Sequence, residues 1–383
     1  MKQYEEVFFS VVRAALWKTP VEVPQGFADW NKVLKLAKAQ TLTGLVADVL
    51  LGNAEIRAQL PEQAVAKLQG AVRNNMLMHN LLNNTLILVV SKLRENGVES
   101  VLLKGQGIAR NYPVPELRQC GDIDLYVGEE NYEKAYDILA PIATDLDDKS
   151  VLEVGKHFHF KVGIVTVEIH RYAITDAYES TNKVLQRYAA EGLTHNLRTF
   201  DFAGTPVHTP SDDFNAFYIF YHLWHHFMAG GVGLRQFCDW MMFLHARGKT
   251  LSVDYLKGFL SEMGVMQAWQ KLGCLLVNYL GLPAEEFPCF DEKAGKNVGR
   301  VLKHILAEGN FGFEGAAGRK RTKHYFYEKW RSLKCYLVRY TSLFFIFPSL
   351  TVRELWHVLT NGFSAVFHDI RHKKTNITGL RVA

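Results

Sequence analysis

Apolar residues recur at helical spacing through the first 95 positions and again beyond Ser211, while the stretch between runs apolar or alternates. "QAVAKLQGAVRNNMLMHNLLNNTLILVVSKLRENG" places Leu82, Leu86, Val89, Val90 and Leu93 three and four apart, on one face of a helix. Gly97 follows as a C-cap. "VESVLLKG" then reads as a short buried strand, and "GQGIARNY" as the first turns of a helix stopped by Pro113 and Pro115. "GDIDLYV" predicts a second strand. "EENYEKAYDILAPI" predicts a helix with Tyr132, Ala135, Tyr136 and Leu139 on one side. "FHFKVGIVTVEIHRY" alternates on both sides of Gly163 and predicts a hairpin.

Beyond Ser211 the periodicity predicts two helices broken at Gly230, Gly231 and Gly233, then two more ending at Gly281 before Pro283. "EGNFGFEGAAGRKRTK" predicts a glycine-rich basic linker, followed by aromatic helices interleaved with basic residues. The pattern predicts an α+β protein in four parts: an N-terminal helical region (1–95), an α/β core (96–205), a helical domain (206–310) and a basic aromatic helical tail (311–383). No internal repeat or low-complexity tract is visible.

Length and composition add bounds. A chain of 383 residues, 48% hydrophobic, has material for a sizeable core. The first twenty residues carry acids beside a short apolar run and are not expected to form a secretory signal. No stretch reaches the ~18 uncharged apolar residues of a spanning helix. The five cysteines are scattered without a CxxC pair, which points to a reducing cytoplasm and away from a zinc ribbon. Charge is uneven: residues 311–383 hold 13 Lys and Arg against 4 Asp and Glu, on an otherwise mildly acidic chain. That asymmetry predicts an anionic partner for the tail. The tail's aromatics are expected first to pack on the body. Among partners, an anionic membrane surface ranks ahead of nucleic acid.

The chemistry sits in "RQCGDIDLYV". Strand side chains alternate, so Asp122 and Asp124 point to one face. Two close carboxylates repel unless solvated or neutralised by a cation. Magnesium takes carboxylate oxygens and completes its shell with water and phosphate, and two ions about 4 Å apart support in-line phosphoryl displacement. "VTVEIHR" offers a third acid, Glu168, with Thr166 and His170 on its face. Upstream, "KGQG" between strand and helix offers Gly105 and Gly107 for close backbone approach to phosphates, and Lys104 and Arg118 offer charge.

Together, "LLKG", "YPVPELRQCGDIDLYV" and "VEIHR" resemble the polymerase-beta-type nucleotidyltransferase superfamily, and specifically its bacterial uncharacterised nucleotidyltransferase family. The likeness covers residues 96–172 and extends through "HLWHHFMAGGVGLRQFCDWMMFL" to about residue 282. It implies a small nucleotidyltransferase-type mixed sheet. It assigns Asp122, Asp124 and Glu168 to two Mg2+ ions and Gly105 to a phosphate loop. The implied reaction is attack of a substrate hydroxyl on the α-phosphorus of a nucleoside triphosphate (NTP), releasing pyrophosphate, with Glu168 helping to take the hydroxyl proton. Gln106 stands where many superfamily members carry serine. That departure motivates an alternative: a degenerate member that binds without chemistry. The basic tail motivates another, a nucleotidyltransferase acting on RNA ends.

Three further groups bear on the cleft. His222 and His226 share a helix face, but no HExxH pattern is present, so lining or stacking is expected rather than zinc. Arg235 and Asp239, four apart, either pair with each other or line the nucleotide cleft. His157, His159 and Lys161 alternate on the hairpin and either face the acids or, as expected first, lie at its solvent side.

Overall fold

The structure, a computed structural model, describes residues 1–176, 178–310 and 325–371. Five helices open the chain: α1 (Gln3–Trp17), α2 (Trp30–Ala39), α3 (Thr43–Gly52), α4 (Ala54–Gln59) and the long α5 (Glu62–Glu95). The predicted stripe of α5 is its buried face: Leu82, Leu86, Val89, Val90 and Leu93 all point inward. Lys92 and Arg94 in its last turn favour the negative end of the helix, and Gly97 leaves it at φ +71°.

Six strands form one sheet in the order β3-β4-β2-β1-β6-β5. They are β1 (Val101–Leu102), β2 (Asp122–Tyr126), β3 (His157–Val162), β4 (Val165–His170), β5 (Arg198–Phe202) and β6 (Thr205–Thr209). Short α6 (Gly105–Ala109) follows β1. Between β2 and β3 come α7 (Tyr132–Leu139) and α8 (Val151–Val154); α9 (Glu179–Gly192) follows β4. β3 and β4 form the expected hairpin about Gly163, whose φ of +59° suits a tight turn. β2 pairs parallel with β4 and antiparallel with β1.

The two faces of this sheet differ as the alternation demands. Ile123, Leu125, Phe158, Phe160, Val165, Val167 and Ile169 are buried against α5 and α7. The opposite face carries Asp122, Asp124, Thr166, Glu168, His170 and the β3 residues His157, His159 and Lys161, in matching register.

The β5–β6 hairpin has no counterpart in the periodicity reading. Its strands are five residues long and half exposed, with Pro206 and Asp201 among them, so the apolar alternation is weak. The available signal was the Ala203-Gly204 turn, both residues at positive φ. β6 also pairs parallel with β1, joining the hairpin to the sheet.

The predicted helices after Ser211 are α10 (Asp212–Ala229), α11 (Leu234–Arg247), α12 (Val253–Glu262) and α13 (Met266–Leu275). A further helix, α14 (Val298–Glu308), lies within the same span, 206–310, expected to be helical. α10 is buried nearly all round, and α11 follows it after the glycine break. Buried Gln40 ties this region to α2: its Oε1 accepts from the Leu234 N–H, and its Nε2 donates to the Ile305 carbonyl.

Most of the predicted linker lies outside the described residues. The tail forms α15 (Tyr325–Phe344) and α16 (Pro348–Arg371), and it packs as expected, with Tyr340, Leu343, Ile346, Phe347 and Leu350 buried in the main core. Its other side is unusual. Tyr327, Trp330, Leu337, Val338 and Phe344 are exposed along α15, Phe345 directly after it, and Val352 and Trp356 on α16. Among the described residues no helix is long and apolar enough to cross a membrane.

Candidate active site

A cleft of about 830 Å³ lies between the polar sheet face and helices α10 and α11. Asp122, Asp124 and Glu168 all line it. Asp124 and Glu168 lie directly opposite each other on parallel β2 and β4, and Asp122 lies opposite Thr166. Paired residues of neighbouring strands share a face, so the register alone converges the three acids.

Cations already surround them. Lys104 Nζ is 3.3 Å from Asp124 Oδ2. His170 Nε2 is 2.9 Å from Asp124 Oδ1 and 3.5 Å from Glu168 Oε2. His159 Nε2 is 3.3 Å from Glu168 Oε1. Burial opposes charge on Asp124, yet Lys104 and His170 hold its carboxyl below the ordinary range. Burial likewise opposes charge on Glu168, and hydrogen bonds with His159 and His170 hold it well below. Asp122, at the open start of its strand, behaves oppositely. Desolvation by the cleft walls and then the Asp124 carboxylate push it up.

Lys104 reaches the acids from a rare backbone position. Its φ is 60° and that of Gly105 is 48°, so two successive residues take left-handed values where β1 turns into α6. Such conformations persist only where surrounding contacts hold them. Here Asp124 holds the ammonium, and His222 Nε2 lies 3.1 Å from it. Burial, then the Lys104 charge, keeps His222 well below its ordinary pKa; the same causes lower His226 to about 4. The two rings lie 3.3 Å apart at their Nε2 atoms and line the cleft.

The facing wall is cationic. Arg118 Nε and Nη2 donate to Asp239 Oδ1 and Oδ2 at 2.7 and 2.8 Å, and the Tyr112 hydroxyl donates to Asp239 at 2.7 Å. The remaining nitrogen, Arg118 Nη1, is buried without a hydrogen-bond partner among the described residues. Arg235 Nη1 lies 3.5 Å from Asp239 Oδ2. Arg235 and Asp239 therefore pair, and both line this cleft.

Other predicted residues sit elsewhere. Gln106 is buried away from the cleft; its Nε2 donates to Asn83 Oδ1 at 2.6 Å and lies 3.3 Å from His79 Nδ1, tying α6 to α5. Gly107 is tight for packing: a Cβ there would lie 3.0 Å from Thr209 Cγ2. Of the "KGQG" turn, Lys104 and Gly105 line the cleft, while Gln106 and Gly107 do not. Of the two alternatives for the hairpin histidines, His157 and His159 take the acid-facing one over the solvent side: both are half-buried and line the cleft with the acids. Tyr112, Asp147 and Gln236 also belong to this neighbourhood; no spacing in the sequence links them to the acids, because their partners are remote in the chain.

Oxygen donors from three carboxylates on one sheet face are a set that fits magnesium. One donor atom each from Asp124, Glu168 and His170 lies within 4.8 Å of the others.

Comparison with known proteins bears on this geometry. No curated protein matches the chain. A solved structure, an antigenic nucleotidyltransferase-like protein from Paracoccidioides brasiliensis, is similar over 52% of this chain and 92% of that one, at 11% identity and a TM-score of 0.32. The sequence profile of the uncharacterised nucleotidyltransferase family matches residues 27–281, a span that contains every residue of the cleft, and the chain therefore belongs to that family.

Proposed function

We propose that this protein moves a nucleoside monophosphate from an NTP to a hydroxyl of a small molecule, sugar or protein. Family membership supports nucleotidyl transfer in general. The observation that carries the finer reading is the register of Asp124 with Glu168, with Asp122 on the same face and the Arg118–Arg235 wall opposite.

In this reading residues 96–205 carry the chemistry and the helical region 206–310 closes the cleft. Asp122, Asp124 and Glu168 would hold the Mg2+ ions. Magnesium, when bound, neutralises phosphoryl charge and promotes ionisation of the acceptor hydroxyl. Arg235, the more exposed of the two, presents its guanidinium to the triphosphate, while Arg118, held by Asp239 and Tyr112, adds positive charge to the wall behind it. Lys104 exchanges Asp124 for a phosphate oxygen. The Gly105 backbone allows close approach there, without help from the Gln106 side chain. Glu168 helps to take the proton of that ionising hydroxyl.

The test is calorimetric titration of each NTP, with and without Mg2+, into wild type and D122N/D124N, together with pyrophosphate release. Magnesium-dependent binding by wild type and its loss in the variant are expected. Equal binding by both would remove the reading. The turned-away Gln106 favours one alternative, binding without chemistry. Tight Mg-NTP binding with no pyrophosphate release for any acceptor supports it, and turnover excludes it.

The tail's exposed stripe supports a peripheral partner. A groove of about 580 Å³ runs between α14 and α15, with Arg300, Lys303 and His304 on one wall and Val338, Phe345 and Ile346 on the other. Apolar side chains beside a cationic rim complement an anionic bilayer surface. Phosphatidylglycerol vesicles should co-sediment the full chain and phosphatidylcholine vesicles should not, with F344S/F345S and R300E/K303E each releasing it. Absence of sedimentation, or equal binding to both lipids, overturns this. A dimer abolished by F344S/F345S would instead assign the stripe to a second copy. The five free cysteines support a reducing, cytoplasmic setting.

A further inference from the structure

We infer a second metal site in the cleft, built from His157, His159 and Glu168 and selective for a transition ion such as Zn2+ or Co2+ rather than Mg2+. Nothing in the nucleotidyl-transfer reading requires it, although the two sites share Glu168.

The geometry begins with the hairpin register. His159 lies directly opposite Glu168 on antiparallel β3 and β4, and His157 precedes it by two on the same face. One donor atom from each of the three residues lies within 4.8 Å of the other two. All three are half-buried, so they line the cleft while leaving an ion room for water or substrate in its remaining positions.

His159 is also oriented as a metal-binding histidine is. Asp147 Oδ2 accepts from the His159 backbone N–H and lies against the ring Nδ1, both at 2.8 Å. That contact fixes the ring and directs Nε2 towards Glu168 Oε1. A carboxylate on the far nitrogen is the usual outer support of a ligating imidazole.

Glu168 divides its two oxygens. Oε1 faces His159 and Oε2 faces His170 and the Asp124 side. One carboxylate can thus serve the histidine site with one oxygen and the all-oxygen site with the other. Donor chemistry then sorts the ions. Two imidazoles and one carboxylate form an open three-ligand set suited to zinc or cobalt, whereas magnesium prefers oxygen alone.

The test uses the full chain, purified metal-free and titrated with Co2+. One equivalent should bind and develop visible ligand-field bands, and Zn2+ should displace it. H157A, H159A and E168Q should each abolish the bands. D147N, which removes only the support, should weaken binding by about 10–100-fold. D122N/D124N should keep the bands while losing Mg-dependent nucleotide binding, so failure of either site is read separately. A measurement on wild type alone guards against misfolded variants: Zn2+ should shift the ring-nitrogen resonances of His157 and His159. Absence of bands at millimolar Co2+, bands unchanged in H157A and H159A, or shifts confined to His222 and His226 would each overturn the proposal.

Discussion

Arg118 and Asp239, 121 positions apart, grip each other side-on in the wall of the cleft, with both guanidinium bonds shorter than 3 Å and neither side chain more than 6% exposed. A buried pair of this kind contributes little against a well-packed apolar substitute, but breaking it strands a charge. D239N should therefore lower unfolding free energy by about 3–5 kcal/mol, read by urea denaturation. R118M/D239N should recover most of that loss while still failing to bind nucleotide.

Lys104 stands 3.3 Å from Asp124, where it neutralises the acid in the metal-free protein. A cation so close opposes the arrival of another. K104M should bind Mg2+ more tightly than wild type and NTP more weakly. The check is thermal shift with each ligand in turn. Parallel changes in both affinities would contradict an exchange of Asp124 for phosphate.

Two histidines predict a stability maximum near neutral pH. Glu168 is the main cause raising His159 to about 9, against the opposing effect of burial. Its folded pKa exceeds the ordinary 6.5, so its stabilising contribution is complete below about 6.5 and is lost as pH rises through 9. Burial, then Lys104, lowers His226 to about 4. The unfolded chain then takes up that proton first, and stability is lost as pH falls from about 6.5 through 4. Tm of the metal-free protein should peak near pH 6.5. H159Q should flatten the alkaline arm and H226Q the acid arm.

Gly44 sets the approach of α3 to the loop that carries Arg118. A Cβ at this position would fall 2.1 Å from Asn75 Nδ2 and 2.4 Å from the Leu117 carbonyl oxygen, which that same Asn75 nitrogen hydrogen-bonds at 3.0 Å. G44A should cost about 1–3 kcal/mol through overpacking. It should also weaken NTP binding by displacing the residue before Arg118. Unchanged Tm and unchanged affinity together would show that the loop yields without consequence.

Local periodicity made the long elements legible. The α5 stripe, the β3–β4 hairpin about Gly163 and the helices after Ser211 all follow from which positions must be apolar, a property of neighbouring residues. The β5–β6 hairpin escaped because half-exposed strands need little apolar alternation. The acid-x-acid strand and its glycine turn were equally readable, since side-chain alternation places Asp122 and Asp124 on one face of any strand.

The sequence by itself thus determined an α+β chain with two acids facing one way, a third acid on a later strand and an uneven charge. Only the tertiary structure decided that Glu168 stands opposite Asp124, that Gln106 turns to α5, that His157 and His159 face the acids, and that Arg118 belongs to Asp239 rather than to solvent. The division has one cause. Alternation and helical spacing are set within a few residues, whereas strand register, burial and the choice of charge partner depend on segments tens to hundreds of positions away.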